Sequence, residues 1–139
     1  MTPLKLFTLE EANQLLPEVR QILKEMRSCQ GQIQKLEEKK AVEELSWLRE
    51  DGTVSPEAQK QVVHLQRQIE LEGKQFEEEM EKLNHLGGQI KGLEEGLVDF
   101  FSQRGGGLVC LCWKEGEDQI RFWHDLESGF AGRRPIEEL

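Results

Sequence analysis

The chain has 139 residues, a length suited to one compact domain, and carries 18 basic against 27 acidic residues for a net charge of −9. That balance argues against nonspecific binding to DNA, RNA or an anionic membrane, which needs clustered Lys and Arg. Apolar residues make up 37% and charged residues 32%, a mix that suits elongated helices with much solvated surface better than a thick globule. No apolar run approaches the ~20 residues of a bilayer span. The opening stretch turns acidic at Glu10 and Glu11 without the long apolar segment of a signal peptide. Cys29, Cys110 and Cys112 form an odd set with no disulfide framework, so reduced thiols and a cytoplasmic location are expected.

Thr8-Leu9-Glu10-Glu11 reads as a capping box that opens a first helix. Ala12, Leu15, Leu16, Val19, Ile22, Leu23, Met26, Ile33 and Leu36 then recur at helical spacing and give an amphipathic helix reaching about Leu48. Pro17 should kink it without ending it, because the apolar stripe keeps its phase. Asp51-Gly52 marks a turn, and Ser55-Pro56 supplies an N-cap followed by Pro at the first helical position. Val62, Ile69, Phe76, Leu83 and Ile90 stand seven apart, with Gly73, Met80 and Gly87 three before the last of these. The spacing predicts a second helix to about Ile90 with a coiled-coil seam. Two long helices joined by a short turn form an antiparallel hairpin over residues 8–90. Such a hairpin covers few of its own outer sides, so a partner is expected, most simply a second copy in a homodimer.

After Gly92 the hydrophobic period falls from 3.6 to 2. Three strands are predicted at Leu97–Ser102, Leu108–Lys114 and Gln119–Leu126, with four-residue loops between them. In the register that pairs Ser102 with Gly107 and Lys114 with Gln119, one face carries Val98, Phe100, Val109, Leu111, Trp113, Ile120, Phe122, His124 and Leu126. That face should pack on the helices. The other carries Leu97, Asp99, Phe101, Leu108, Cys110, Cys112, Arg121, Trp123 and Asp125, too apolar for a plain solvated surface and too polar for a plain core. A cover by the tail Phe130–Ile136, by another chain or by a ligand is expected there. The fold class is therefore α+β: a long antiparallel helical hairpin plus a small C-terminal three-stranded antiparallel sheet and tail over residues 97–139, in a single domain of residues 1–139.

Several elements together resemble a known family. They are Phe7-Thr8-Leu9-Glu10-Glu11-Ala12-Asn13 with Leu15-Leu16-Pro17, and Gly96-Leu97-Val98-Asp99-Phe100. To these add Val109, Leu111-Cys112-Trp113, Gly116-Glu117, Ile120, Trp123-His124 and Gly129-Phe130-Ala131-Gly132-Arg133. The set is similar to that of a bacterial and archaeal family of small soluble proteins of unknown function. The resemblance implies a prokaryotic cytosolic protein and no established activity. Members of that family carry Lys-Asp shortly before the Gly-Leu-Val-Asp-Phe element, whereas here Lys91 is followed by Gly92, which leaves any role of that acid in doubt.

The chemistry-bearing residues concentrate in the same C-terminal stretch. Cys110 and Cys112, one residue apart on a strand, point to one face and with Asp99 and His124 form an alternative zinc or iron site. Two buried small residues are the plainer reading, since a free Cys packs as a hydrophobe. His124-Asp125 suggests a general base beside a carboxylate, but neighbours on a strand face opposite ways. A functional His124 would need Glu127 or a helix carboxylate, and a hydrogen-bonded structural histidine is the simpler alternative. Arg133 after the glycine-bounded loop 129–132 could bind a small anion; the competing reading pairs it with Asp99, Asp125 or Glu127. Asp99, Arg121, Trp123, His124, Asp125, Glu127 and Arg133 are accordingly the ligand-binding candidates. No nucleophile–base pair, catalytic motif or cofactor fingerprint is present, so no catalytic residue is assigned and no cofactor is expected. The leading expectation is a non-enzymatic structural or protein-interaction module; the alternative is a metal- or small-anion-binding protein, with or without hydrolytic activity, with its site on the sheet.

Overall fold

In the computed structural model, which describes residues 4–139, helix α1 spans Leu9–Leu45 and helix α2 spans Pro56–Leu86. Strands β1 (Gly88–Gly92), β2 (Leu97–Arg104), β3 (Gly107–Lys114), β4 (Phe122–Asp125) and β5 (Arg134–Pro135) follow. They form one antiparallel sheet in the order β1-β2-β3-β4-β5. The class is α+β, with five strands instead of the three expected. The chain divides into two compact units, Glu25–Glu79 and the remainder. No helix among the described residues is long and apolar enough to cross a membrane.

Within Glu25–Glu79 the helices are joined by a tight turn. Asp51 accepts the Thr53 amide at 2.9 Å and its hydroxyl at 2.6 Å, and Leu48 bridges Val54. Ser55 Oγ accepts the Ala58 amide at 3.3 Å, the N-cap bond that its position before Pro56 promised. Met26 and Cys29 of α1 and Ala58, Val62, Leu65 and Ile69 of α2 are buried at helical spacing.

The other unit holds the start of α1, the end of α2 and the sheet. The capping box forms as read: Glu11 N donates to Thr8 Oγ1 at 3.1 Å and Thr8 N to Glu11 Oε1 at 2.9 Å. The helix runs on through Pro17. Its buried face is Ala12, Leu16, Val19 and Leu23, and the sheet contributes Val98, Phe100, Leu111 and Trp113, all at most 1% exposed. Phe7 donates its amide to Phe101 O at 2.8 Å and sets its ring edge-on to Phe100 at 5.4 Å. Arg20 lies over the Trp113 ring at 5.5 Å.

Helix α2 stops four residues short of Ile90. Gly87 leaves the helix with φ +98°, and its amide bonds Asn84 O at 3.0 Å. Any Cβ at Gly87 would stand 2.4 Å from the Phe7 ring. The seven-residue spacing therefore runs within the helix only as far as Leu83, and Ile90 falls outside it. Ile90 belongs to β1, where it pairs with Val98 and its backbone is satisfied by β2.

The β2–β3 hairpin is tighter than expected. Arg104 pairs with Gly107 around the two-residue turn Gly105-Gly106, in place of the Ser102–Gly107 pairing. A shift of two preserves both faces, so Val98, Phe100, Leu111 and Trp113 stay inward and Asp99, Cys110 and Cys112 stay together on the other side.

The β3–β4 hairpin differs by one, and one residue reverses a strand. Leu111 pairs with Trp123 and Cys110 with His124. His124 and Phe122 therefore share the face of Cys110 and Cys112, while Trp123 turns to the side of Leu111. The cause lies in residues 115–121. Glu117 folds back, accepting Trp113 Nε1 at 2.9 Å on its carbonyl and the Lys114 amide at 2.8 Å on its carboxylate. Ile120, 2% exposed, is drawn inward as its amide donates to Asn13 Oδ1 at 2.8 Å. This longer connection replaces the four-residue loop and changes the parity of the strand that follows.

Candidate metal centre

The sheet face turned away from the Val98–Leu111–Trp113 core holds a cavity of about 510 Å3. At its floor stand three side chains from three adjacent strands: Asp99 on β2, Cys112 on β3 and His124 on β4. Asp99 and Cys112 are directly cross-strand, and His124 lies opposite Cys110, so pleat and register alone bring the donors to one patch. One oxygen, one sulfur and one nitrogen of the three lie within 4.8 Å of one another. All three residues are at most 3% exposed.

The hydrogen bonds define the state of the imidazole. His124 Nδ1 is 2.6 Å from Asp125 O. A carbonyl oxygen only accepts, so Nδ1 carries a hydrogen. Nε2 stands 3.0 Å from Asp99 Oδ2, a contact that needs one proton, or one cation, between two groups that otherwise both present lone pairs. A backbone carbonyl holding Nδ1–H is also how metal-binding histidines are oriented with Nε2 aimed at the ion. Asp99 Oδ1 is buried with no hydrogen-bond partner. An orphaned carboxylate oxygen at such a depth is costly unless something is bound to it.

Both thiols here are held protonated in the absence of an ion. Burial, reinforced by the Asp99 charge, pushes Cys110 up to about 11 against the opposing pull of Lys91. Burial and Asp99 push Cys112 up to about 12, with Arg133 acting the other way. With both ring nitrogens of His124 engaged, neither thiol has a base to activate it, so the site is not arranged as a Cys–His nucleophile. A carboxylate, a thiol and an imidazole converging from adjacent strands are residue types that could hold a metal ion. Tetrahedral bonds of 2.0–2.3 Å place donors ~3.3–3.8 Å apart, and the three donor atoms here lie within 4.8 Å of one another.

Of the candidates read from the sequence, Asp99, Cys110, Cys112, His124 and Glu127 line the cavity. The expected placement of His124 toward the helices is overturned by the β4 register, and its carboxylate partner is Asp99, neither Glu127 nor a helix residue. The other candidates stand elsewhere. Arg121 is exposed and pairs with Asp118 at 3.0 Å. Trp123 is buried on the opposite face, with the Arg104 and Arg134 guanidinium groups 4.9 and 5.3 Å from its ring. Asp125 uses its carboxylate to cap the Ser128 and Glu127 amides at 2.8 and 3.1 Å, which holds its pKa below the usual carboxylate range. Arg133 pairs with none of the three acids considered. It binds both Glu117 oxygens at 2.8 and 3.0 Å and Cys112 O at 3.1 Å, and stacks on Phe122 at 4.2 Å. Its role is to tie the tail to the β3–β4 loop, which keeps Phe130 against the cavity.

The chain matches the model of an uncharacterised conserved protein family, DUF2203, over residues 5–136. It belongs to that family. No curated protein and no solved structure matches the chain.

The sequence placed Leu97 and Phe101 on this face and the tail from Phe130 over it, as found; it did not place Gln89 and Lys91 of β1 here, and it set Leu126 on the opposite face. The one sequence signal for β1 was a short segment bounded by Gly87-Gly88 and Gly92, hidden at the end of the heptad spacing.

Proposed function

We propose that this protein binds one divalent transition-metal ion through Asp99, Cys112 and His124, zinc by the mixed oxygen, sulfur and nitrogen character of the donors. The observation that carries the reading is the buried Asp99–His124 pair, with Asp99 Oδ1 orphaned beside the Cys112 thiol. Three protein ligands leave a fourth position, and the cavity in front of them is where a small molecule would reach it. An ion held in this way would supply Lewis acidity, the basis on which the hydrolytic alternative read from the sequence would act. The chain's own contribution is orientation: Asp125 O sets the imidazole, and the β2–β3 ladder sets the carboxylate beside the sulfur.

The test is a metal titration of the full chain after removal of metal with chelator. Cobalt should bind at one equivalent with a thiolate charge-transfer band. Cys112→Ser should lose the band, Cys110→Ser should retain it, and His124→Ala should abolish binding. Saturation without any dependence on Cys112 sinks the assignment.

A second reading concerns assembly. Val42, Leu45, Leu48, Val63 and Leu71 of the hairpin are large apolar side chains that are 62–85% exposed, the kind of surface a partner covers. We propose that a second copy covers them in a homodimer, and that the hairpin serves as an assembly or interaction element. Light scattering at micromolar concentration checks this; a stable monomer removes it. An odd set of three cysteines without a disulfide framework is the composition of a reducing, cytoplasmic compartment.

A further inference from the structure

The cavity has a charge and polarity pattern that selects a ligand class, an inference that rests on the metal centre proposed above. A divalent ion neutralised by the Asp99 carboxylate and the Cys112 thiolate is a centre with no net charge. An anion that takes the fourth position therefore leaves one negative charge, and a single cationic side chain, Lys91 on β1, is among the residues lining the cavity. Lys91 is exposed at the mouth, next to Gln89 of the same strand. Glu127 also lines the cavity, so Lys91 and Glu127 together leave no cationic surplus to meet a second negative charge on the ligand. A dianion such as phosphate thus meets one compensating charge and one repelling one.

The walls have a different character. Leu97, Phe101, Leu126 and Phe130 face the same space, and Leu126 and Phe130 remain 52% and 46% exposed. Phe130 is held in place by Arg133, 4.9 Å from its ring, and by Lys114 at 5.7 Å. Apolar side chains fixed around a polar floor are the usual construction of a small-molecule pocket, and 510 Å3 lies within the usual size range.

We infer that the site takes a small monocarboxylate with a short apolar body: its carboxylate on the metal and within reach of Lys91, its hydrocarbon part against Leu97, Phe101, Leu126 and Phe130. The carboxylate supplies one charge and an oxygen donor; the hydrocarbon covers the exposed parts of Leu126 and Phe130.

The experiment uses the cobalt-loaded full chain, with the visible d–d bands as readout. Acetate, butyrate, 1-butanol and inorganic phosphate are titrated in turn. Butyrate should shift the bands and bind roughly tenfold more tightly than acetate, the value of two buried methylenes. Butanol and phosphate should be weaker than butyrate. Lys91→Met should weaken butyrate and acetate alike by several-fold. Phe130→Ala should instead shrink the preference for butyrate over acetate, a split that a merely structural role for either residue does not produce. Three results each overturn the ligand assignment while leaving the metal centre intact: bands indifferent to every carboxylate, phosphate binding above butyrate, or Lys91→Met without effect. A chain that fails to take up cobalt at all sinks the metal centre and this ligand with it.

Discussion

Replacing His124 with Leu in metal-free protein is the sharpest test of how the buried pair behaves. The substitution keeps side-chain bulk but strips Asp99 of its imidazole, and Asp99 Oδ1 already has no hydrogen-bond partner. Both side chains are only 4% exposed, so water cannot take over. Breaking a buried pair by removing one member costs about 3–5 kcal/mol, because the charge left behind stays desolvated. In a chain of 139 residues a loss of that size lowers the melting temperature by roughly 10–20 °C. Urea unfolding in the presence of chelator measures it. The double substitution Asp99→Val with His124→Leu removes the stranded charge as well and should recover most of the loss, since apolar replacement of a whole buried pair is often close to neutral. Zinc at a hundredfold excess over its dissociation constant should stabilise the wild type by about 2.7 kcal/mol and His124→Leu not at all. A single-mutant loss below ~1 kcal/mol, or a double mutant less stable than the single, would refute the argument that burial makes Asp99 depend on His124.

Other consequences follow from the same geometry. Gly87→Ala forces a β-carbon into a positive-φ position against the Phe7 ring and should cost about 2–4 kcal/mol by thermal or urea unfolding, from backbone strain plus overpacking. Arg133→Met removes the fork on Glu117 and should cost roughly 1.5–3 kcal/mol, the range for charged hydrogen bonds, with faster amide exchange in residues 115–121. Cys110 and Cys112, pushed up to about 11 and 12, should resist a thiol reagent at pH 8 in the folded apo-protein and react promptly once unfolded; rapid labelling of the folded chain contradicts the burial argument. The hydrogen bonds from Thr8 hold Glu11 below its ordinary value of 4.5. Its contribution is therefore complete above 4.5 and lost as pH falls through the lowered folded value. Glu11→Gln should flatten that part of the acid limb in a comparison of stability against pH.

The register of the sheet separates what was legible from what was not. Residues 97–114 alternate cleanly, so the division of β2 and β3 into a core face and an Asp99–Cys110–Cys112 face survives even a hairpin two residues tighter than expected. The β4 segment offers no such protection. Phe122, Trp123 and His124 can each be buried on either face, so hydrophobicity does not choose between the two parities. The choice is made by contacts from far away in the chain: Asn13 on the Ile120 amide, Arg20 on the Glu117 and Asp118 carbonyls, and Arg133 on the Glu117 carboxylate. That one-residue difference decides whether His124 is a core histidine or the partner of Asp99.

Local physics alone sufficed for much of this protein. Capping chemistry opened both helices, helical spacing marked their buried stripes, and period-two alternation placed Asp99 and the two C-terminal cysteines on a shared face, because each depends on residues a few positions apart. Tertiary structure decided the rest. Gly87 ends α2 because Phe7 occupies the space where a β-carbon would sit, β1 exists because β2 satisfies its backbone, and His124 meets Asp99 because distant side chains hold the preceding loop. Those outcomes turn on which groups fill the same volume, and a linear spacing carries no information about volume.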